Sequence, residues 1–483
     1  MKQTQKAILV DGRQVEYVVD ADKEMEGGMK KVYFTPDKSS VLCFFKDQSD
    51  AARKSRLDAV IGRFNPTASQ NTGDYWKKYF CWPTAIIQSP GLGIMCPTYP
   101  NNFFFNDGPW KGKEKEGTWF CGKTGGGKAF RDLMPASERG PWINYFRLCI
   151  TMARSIRRLH MSGLAHSDLS PRNILIDPSS GTSIVIDIDS LVVPGIFPPD
   201  VLGTPGYIAP EVLATCHLPL KDPNRKHPDI KTDQYALSVL IYQYLLFRHP
   251  LKGPKVNSTK SAEEDDLLSL GAKALFVENP ADRSNRPPDH QLGVTYDALG
   301  PLLVNLFNQA FVDGLHATGR RPSAPEWEDA LIKTWDLLHP CTNPACTHKW
   351  FVVSRKGAQR CPFCKTAVSG NIFKLKFRKE ARPGTWLPDG EQVVYSGLPI
   401  MKWHVYDNVQ PNESISDADR SELLADCAFY GGQWILINRK LQHMLSPSGT
   451  PVAPNSAVAL KAGAQFRLSN EPHGRIAEVE VIQ

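Results

Sequence analysis

The chain has 483 residues, room for roughly two to four domains with real cores. With 41% hydrophobic and 22% charged residues, the bulk of it should fold, not stay disordered. Its net charge of +7 comes from dispersed basic residues, a pattern that implies no nucleic-acid partner. The start, Met1–Val10, is polar and lacks an apolar signal core. The longest apolar stretch, Tyr235–Phe247, is too short to span a bilayer and carries Gln243, so it reads as a buried core helix and predicts no membrane attachment.

In chain order, residues 30–46 alternate in strand fashion and end in Val41-Leu42-Cys43-Phe44-Phe45-Lys46, an apolar strand closed by a cation. Just upstream, Gly27 and Gly28 could form a turn whose backbone amides approach phosphates, because glycine has no Cβ in the way. No glutamate occurs between Lys46 and Lys113, and Asp58 is the well-spaced acid on the helical pattern Ser55–Ile61. Gly93–Tyr99 reads as a strand running into a connection, with Pro97 lacking an N–H. Asn106–Gly140 is rich in Gly and Lys and reads as a mobile insertion. Within it, Gly122–Lys128 imitates the start of a phosphate-binding P-loop, but Ala129 stands where a metal-binding Ser or Thr is required. Pro141–Met161 is predicted as a helix with Leu148, Met152, Ile156 and Leu159 on one face.

The most informative stretch follows. Gly163–Asp177 puts Asp168 five positions before Asn173, with an apolar strand directly after. Phosphoryl transfer needs such a pair: a carboxylate to accept the substrate hydroxyl's proton, and a neutral oxygen to hold a metal ion. The strand Ile184–Ile188 then carries Asp187 and leads to Asp189. Beyond it lies Gly203-Thr204-Pro205-Gly206-Tyr207-Ile208-Ala209-Pro210-Glu211.

Gly163–Asp177 resembles the catalytic loop of protein kinases, His-Arg-Asp-Leu-x-x-x-x-Asn. Gly203–Glu211 resembles the end of a serine/threonine-kinase activation segment, and the ordered set Lys46, Asp168, Asn173, Asp187, Glu211, Asp233 and Arg321 resembles that family throughout. As a whole the chain is similar to bacterial eukaryotic-like (Hanks-type) kinases with a C-terminal zinc ribbon, over residues 1–338 and 339–369. The resemblance implies an α+β chain: a bilobal protein-kinase fold at 1–338 (N-lobe about 1–98, C-lobe about 99–338). It implies ATP with Mg²⁺ or Mn²⁺ as cofactors. Lys46 would hold the α- and β-phosphates, Gly27 and Gly28 would cover them, and Asn173 and Asp187 would hold the metal. Cys96, Thr98 and Tyr99 would receive adenine, the last two through their backbones. Asp168 would deprotonate the substrate hydroxyl, with Arg172 supplying the cation that Ser170 lacks. Asp58 would replace the helix glutamate that pairs with the lysine, a solvated surface aspartate being the other reading. Glu211 should pair with Arg321, and Asp233 should prop the catalytic loop.

Some departures from the pattern bear on regulation. Ser167 stands where an arginine would dock an activation-loop phosphate, Asp189 where the flexible glycine would be, and Ser190 is the one hydroxyl in Ser190–Leu202. Phosphorylation control of that loop is not expected. The expected function is phosphoryl transfer to Ser/Thr hydroxyls of protein substrates; a pseudokinase scaffold binding nucleotide and partners competes with it, and a small-molecule kinase is a third reading. The resemblance also names a metal-dependent protein phosphatase and a von Willebrand-type domain protein as partners.

Of eleven cysteines, four stand at Cys341-x₄-Cys346-x₁₄-Cys361-Pro362-Phe363-Cys364. Paired thiolates on two short turns give the tetrahedral four-sulfur geometry that structural zinc prefers, so residues 339–369 are predicted as a zinc ribbon. Cysteines used this way fit a reducing cytoplasm. Residues 370–483 alternate like strands at Phe373/Leu375/Phe377, Trp434/Leu436, Phe466/Leu468 and Val479/Val481, which predicts a small all-β sandwich. Trp434–Asn438 and Val458–Leu468 faintly resemble forkhead-associated domains, without their phosphothreonine-reading residues.

Overall fold

The structure, a computed structural model, describes residues 2–20, 25–26, 29–48, 51–122, 129–196, 198–199 and 203–482. They divide into two compact units. The first comprises Met1–Gly140, Asn144–Thr295 and Asn305–Glu328; the second comprises Pro141–Ile143, Tyr296–Val304 and Asp329–Gln483.

The first unit begins with a sheet built from β1 (Lys2–Leu9), β2 (Gln14–Asp20), β3 (Met25–Glu26), β4 (Lys30–Phe34), β5 (Ser40–Phe45), β6 (Ala85–Ser89) and β7 (Gly93–Pro97), in the order β2-β1-β6-β7-β5-β4-β3. Residues 30–46 thus form a hairpin, not a single strand, folded at Thr35–Ser39, where Asp37 accepts from the Thr35 and Ser39 hydroxyls. The register sets Lys30 opposite Phe45, Val32 opposite Cys43 and Phe34 opposite Val41. Helix α1 (Ala51–Ile61) buries Leu57 against the sheet residues Phe45, Ile86 and Ile94, and its Val60 is buried as well.

Two long helices carry the rest of this unit. In α2 (Trp142–Met161), Tyr145, Leu148, Cys149, Met152, Ile156 and Leu159 are fully buried at three- and four-residue spacing, as its periodicity predicts. After it, β8 (Ile174–Asp177) and β9 (Thr182–Val185) pair antiparallel as a two-stranded hairpin. The short helix α3 (Pro210–Thr215) starts on Pro210, whose missing N–H costs nothing at a helix start. Helix α4 (Ile230–Leu246) is buried nearly all round; Asp229 and Thr232 form its capping box and Phe247 closes it in the left-handed conformation. Among the described residues, no helix is long and apolar enough to cross a membrane.

Asn106–Gly140 departs from the sequence expectation. Its described part is ordered, because Lys115 is buried between Glu138 (2.8 Å) and Asp177 (3.1 Å) and Phe105, Trp110, Trp119, Phe120 and Phe130 cluster. The P-loop look-alike lies outside the described residues from 123 to 128.

In the second unit, β10 (Leu338–Pro340) pairs with β11 (Trp350–Val352) beside the four cysteines. Two four-stranded sheets follow: β13 (Thr385–Val393), β12 (Phe373–Arg382), β19 (Ile476–Val481) and β18 (Gln465–Arg467) in one, and β14 (Leu398–Ile400), β15 (Ala425–Tyr430), β16 (Gln433–Asn438) and β17 (Ala457–Ala459) in the other. Leu375, Phe377, Val479 and Phe466 of the first sheet share one core with Ile400, Cys427 and Leu436 of the second. Asn438 is fully buried there, and its amide donates to Leu441 O and Val452 O while accepting from Leu441 N, so this polar group is satisfied.

Candidate active site

The loop that carries Asp168 and Asn173 is held by the first turn of α4. Asp233, in its first turn, accepts the His166 backbone N–H at 2.6 Å and lies 3.2 Å from His160 Nε2. The buried His166 ring donates from Nε2 to Ile186 O at 3.0 Å, tying the loop to the chain that leaves the β8–β9 hairpin. Asp168 is fixed on both sides. Thr204 donates to Oδ1 through its N–H (2.8 Å) and its hydroxyl (2.9 Å), and Asn173 Nδ2 donates to Oδ2 at 3.1 Å. Asn173 Nδ2 also donates to Asp168 O at 2.8 Å, which leaves the amide oxygen as the end able to ligate a cation. The Ser170 and Thr204 hydroxyl oxygens lie 3.2 Å apart, so Thr204 is a brace between segments. Arg172 is exposed, and its charge bears on Glu116.

Asp187 sits in the left-handed region at φ 60° and begins the turn Ile188–Ser190. Its Oδ1 is 2.7 Å from Lys30 Nζ, and the same ammonium is 2.6 Å from Asp189 Oδ1. Lys46 is not at this position. It is exposed beyond the end of β5, where its N–H donates to Met29 O. Strand parity explains the correction: Val41 and Cys43 face the cavity, and Lys46 is one residue out of phase with them. Lys30 is in phase with Val32 and Phe34 on the neighbouring strand, so the cation arrives from β4.

Asp58 is corrected in the same way. On α1 the inward stripe is Arg53, Arg56, Leu57 and Val60; Asp58 falls off it, is exposed, and borders a separate cleft with Asp11 and Thr84. Gly27 and Gly28 lie outside the described residues.

Two carboxylates around one lysine do not titrate alike. Burial opposes the charge on Lys30, but Asp189 and then Asp187 outweigh it and hold the lysine above its ordinary range. Burial also opposes the charge on Asp187, yet Lys30 wins and its carboxyl is lowered. For Asp189 burial wins, despite Lys30 and with the help of Asp187, and its carboxyl is raised.

These residues border a cavity of about 570 Å³, which runs from Lys30, Asp187 and Asp189 to Cys96, Thr98 and Tyr99. The volume suits a nucleotide-sized ligand. The Thr98 N–H does not point into it as expected; it donates to Ser39 O at 3.2 Å. Burial raises the Cys43 thiol to about 12, and the Cys96 thiol is raised by its hydrogen bond with Cys81 and by burial, so both stay neutral walls.

Glu114 and Glu116 also line the cavity, and nothing in the sequence pattern singles them out. Burial raises both carboxyls. They reach the site because their segment lies along β8: Gly117 N donates to Ile174 O and Ile176 N to Lys115 O, each at 2.9 Å. No local signal marks a strand-like pairing between segments some sixty residues apart.

The ion pair expected between Glu211 and Arg321 is bidentate, at 2.8 and 2.7 Å, and Arg321 further donates to Lys231 O, Gly314 O and Leu315 O. It anchors α3 in the first unit.

In the second unit the Sγ atoms of Cys341, Cys346, Cys361 and Cys364 all lie within 4.8 Å of one another, with Cys341–Cys364 at 3.5 Å and Cys346–Cys361 at 3.9 Å. Tetrahedral zinc at about 2.3 Å from each sulfur requires separations of about 3.8 Å, so the set fits zinc. His348 stacks on Phe363 at 3.7 Å, and burial keeps His339 neutral, at about 4.

The protein kinase domain model matches residues 138–299, the stretch that holds Asp168, Asn173, Asp187, α3 and α4. No curated protein matches the chain. Among solved structures, the kinase domain of a Toxoplasma gondii specific rhoptry antigen aligns at 13% identity and a TM-score of 0.40, covering 68% of this chain and 86% of that one.

Proposed function

We propose, from the premise that residues 138–299 carry a protein kinase domain, that the chain transfers the γ-phosphoryl group of ATP to serine or threonine hydroxyls of protein substrates. The observation that carries the reading is that Lys30 and Asp187 meet at one end of a nucleotide-sized cavity, while the hydrogen-bonded pair Asp168 and Asn173 is joined to the residue before Asp187 by the Ile186 N–H, which donates to Asn173 O at 3.0 Å. Asp168, oriented by Thr204 and Asn173, would take the proton of the attacking hydroxyl. Lys30 would place a cation on the phosphates. The Asn173 oxygen and the Asp187 carboxylate would hold Mg²⁺, which when bound offsets charge on the β- and γ-phosphates. Positioning and preorganised charge carry catalysis of this kind. The serine/threonine assignment is supported by the brace from Thr204 to Asp168 and Ser170. Ser167, whose hydroxyl donates to Ser190 O at 3.0 Å, supports control without an activation-loop phosphate, since a direct contact already orders that turn.

We further read the two C-terminal sheets as an interaction sandwich and the four-cysteine cluster as a structural zinc site. Transfer of labelled phosphate from ATP to protein substrate, by wild type beside Asp168→Asn, tests the proposal. Transfer that the variant abolishes supports it. Nucleotide binding without transfer by wild type, in Mg²⁺ and in Mn²⁺, would instead make the chain a scaffold.

A further inference from the structure

The helix expected to supply an acid to the lysine supplies cations. Arg53 and Arg56, on the inner stripe of α1, are buried, and Arg53 lies over the Phe45 ring at 4.6 Å and donates to Asp47 O. Both arginines line a second cavity of about 370 Å³ together with Lys30, Asp187 and Asp189. The counter-acid of Lys30 therefore comes from the chain after the catalytic loop. Of its two carboxylates, Asp187 is 36% exposed at the side chain and Asp189 only 5%.

We propose that Asp189 is the positioning residue for Lys30. It keeps the ammonium aimed at the phosphates when Asp187 turns to a metal ion. This rests on the phosphotransfer reading above.

The argument is one of donors and acceptors. A lysine ammonium has three N–H groups; two are given to Asp187 and Asp189, and one remains for a phosphate oxygen. A metal on Asp187 would compete with Lys30 for its carboxylate oxygens. Asp189, walled off from solvent, would keep its bond. Its position is in turn fixed by the turn Ile188–Ser190: Ser190 Oγ donates to Asp187 O at 3.2 Å, and Ser167 Oγ donates to Ser190 O. A chain of contacts thus links the residue before Asp168 to the phosphate-binding cation. An acid at position 189, where the resemblance expects glycine, is what this arrangement requires. Alignment of the cation would then follow the activation segment, not a movement of α1.

The test compares full-length wild type with Asp189→Asn, which keeps the shape and removes the charge, and with Asp189→Gly. Melting temperature controls for folding, and Mg·ATP affinity is measured beside transfer kinetics. Loss of one charge-assisted hydrogen bond predicts a roughly 10- to 100-fold fall in kcat/KM for ATP, with the KM for protein substrate unchanged. In a Lys30→Ala background, Asp189→Asn should cost less than about 3-fold more, since the two act as one unit. Full activity in folded Asp189→Asn would overturn the proposal, as would an effect undiminished in the Lys30→Ala background. Mg·ATP affinity reads the same coupling without any transfer. A wild type that binds but does not transfer would therefore sink the kinase reading, while the double-mutant comparison of affinities would still decide the Lys30–Asp189 link.

Discussion

Replacing Lys30 by alanine should do what replacement of Lys46 by alanine should not. Lys30 Nζ lies 2.7 Å from Asp187 and 2.6 Å from Asp189, and its side chain is only 17% exposed. A unit charge about 4 Å from a phosphate oxygen, at an effective dielectric near 20, is worth ~4 kcal/mol. That corresponds to roughly a 10³-fold loss in kcat/KM for ATP. The substitution also leaves two adjacent carboxylates without their cation, which costs on the order of 3–5 kcal/mol of stability. The measured fall in melting temperature should be relieved by the further change Asp189→Asn. Lys46 is exposed beyond β5, so Lys46→Ala should stay within ~0.5 kcal/mol in stability and about 2-fold in rate. Labelled-ATP transfer and calorimetric titration of Mg·ATP measure both variants. An inactive, well-folded Lys46→Ala beside an active Lys30→Ala would refute the parity argument that places the cation on β4.

Other consequences are open to direct measurement. Arg321→Ala removes a bidentate pair to Glu211 and three carbonyl contacts, so urea unfolding should show a loss of ~3–5 kcal/mol; less than 1 would mean the pair does not hold α3. Purified protein should carry one zinc ion per chain by metal analysis, and a strong chelator or Cys361→Ser should lower the melting temperature of the second unit; full stability without metal would rule out a structural site. His249 donates from Nε2 to Gly206 O and accepts the Leu251 N–H at Nδ1, and burial lowers it from 6.5 to about 4. The unfolded chain therefore binds a proton first as pH falls, so this group costs stability from about pH 6.5 down to about 4, by at most ~3 kcal/mol. His249→Gln should flatten that acid limb in denaturant melts, and an unchanged slope would remove His249 as its source. Asp58→Ala should leave transfer unaltered, whereas a large loss would return the acid's role to α1.

What is local was legible along the chain. Asp168 and Asn173 are five residues apart on one loop, and the α2 stripe repeats within one helix, so spacing alone identifies them. The four cysteines likewise declare themselves in two short clusters. Asp233 and the Glu211–Arg321 pair were legible through resemblance, because the residues that flank them keep their order along the chain. The cation was not legible in this way. Whether Lys30 or Lys46 meets Asp187 depends on which face of the sheet each occupies, and that is fixed only when β4 and β5 pair with Lys30 opposite Phe45. Lys30–Val32–Phe34 carries the right alternation, but the sequence offers no partner for it until Asp187, 157 residues away, is brought alongside. Asp189 looks like a replaced glycine in sequence for the same reason, and Glu114 and Glu116 stay hidden inside an apparent insertion until β8 gives their backbone a neighbour. A motif fixes the groups it contains, whereas a cation held by two carboxylates through space belongs to the register of a sheet, and only the tertiary structure sets that register.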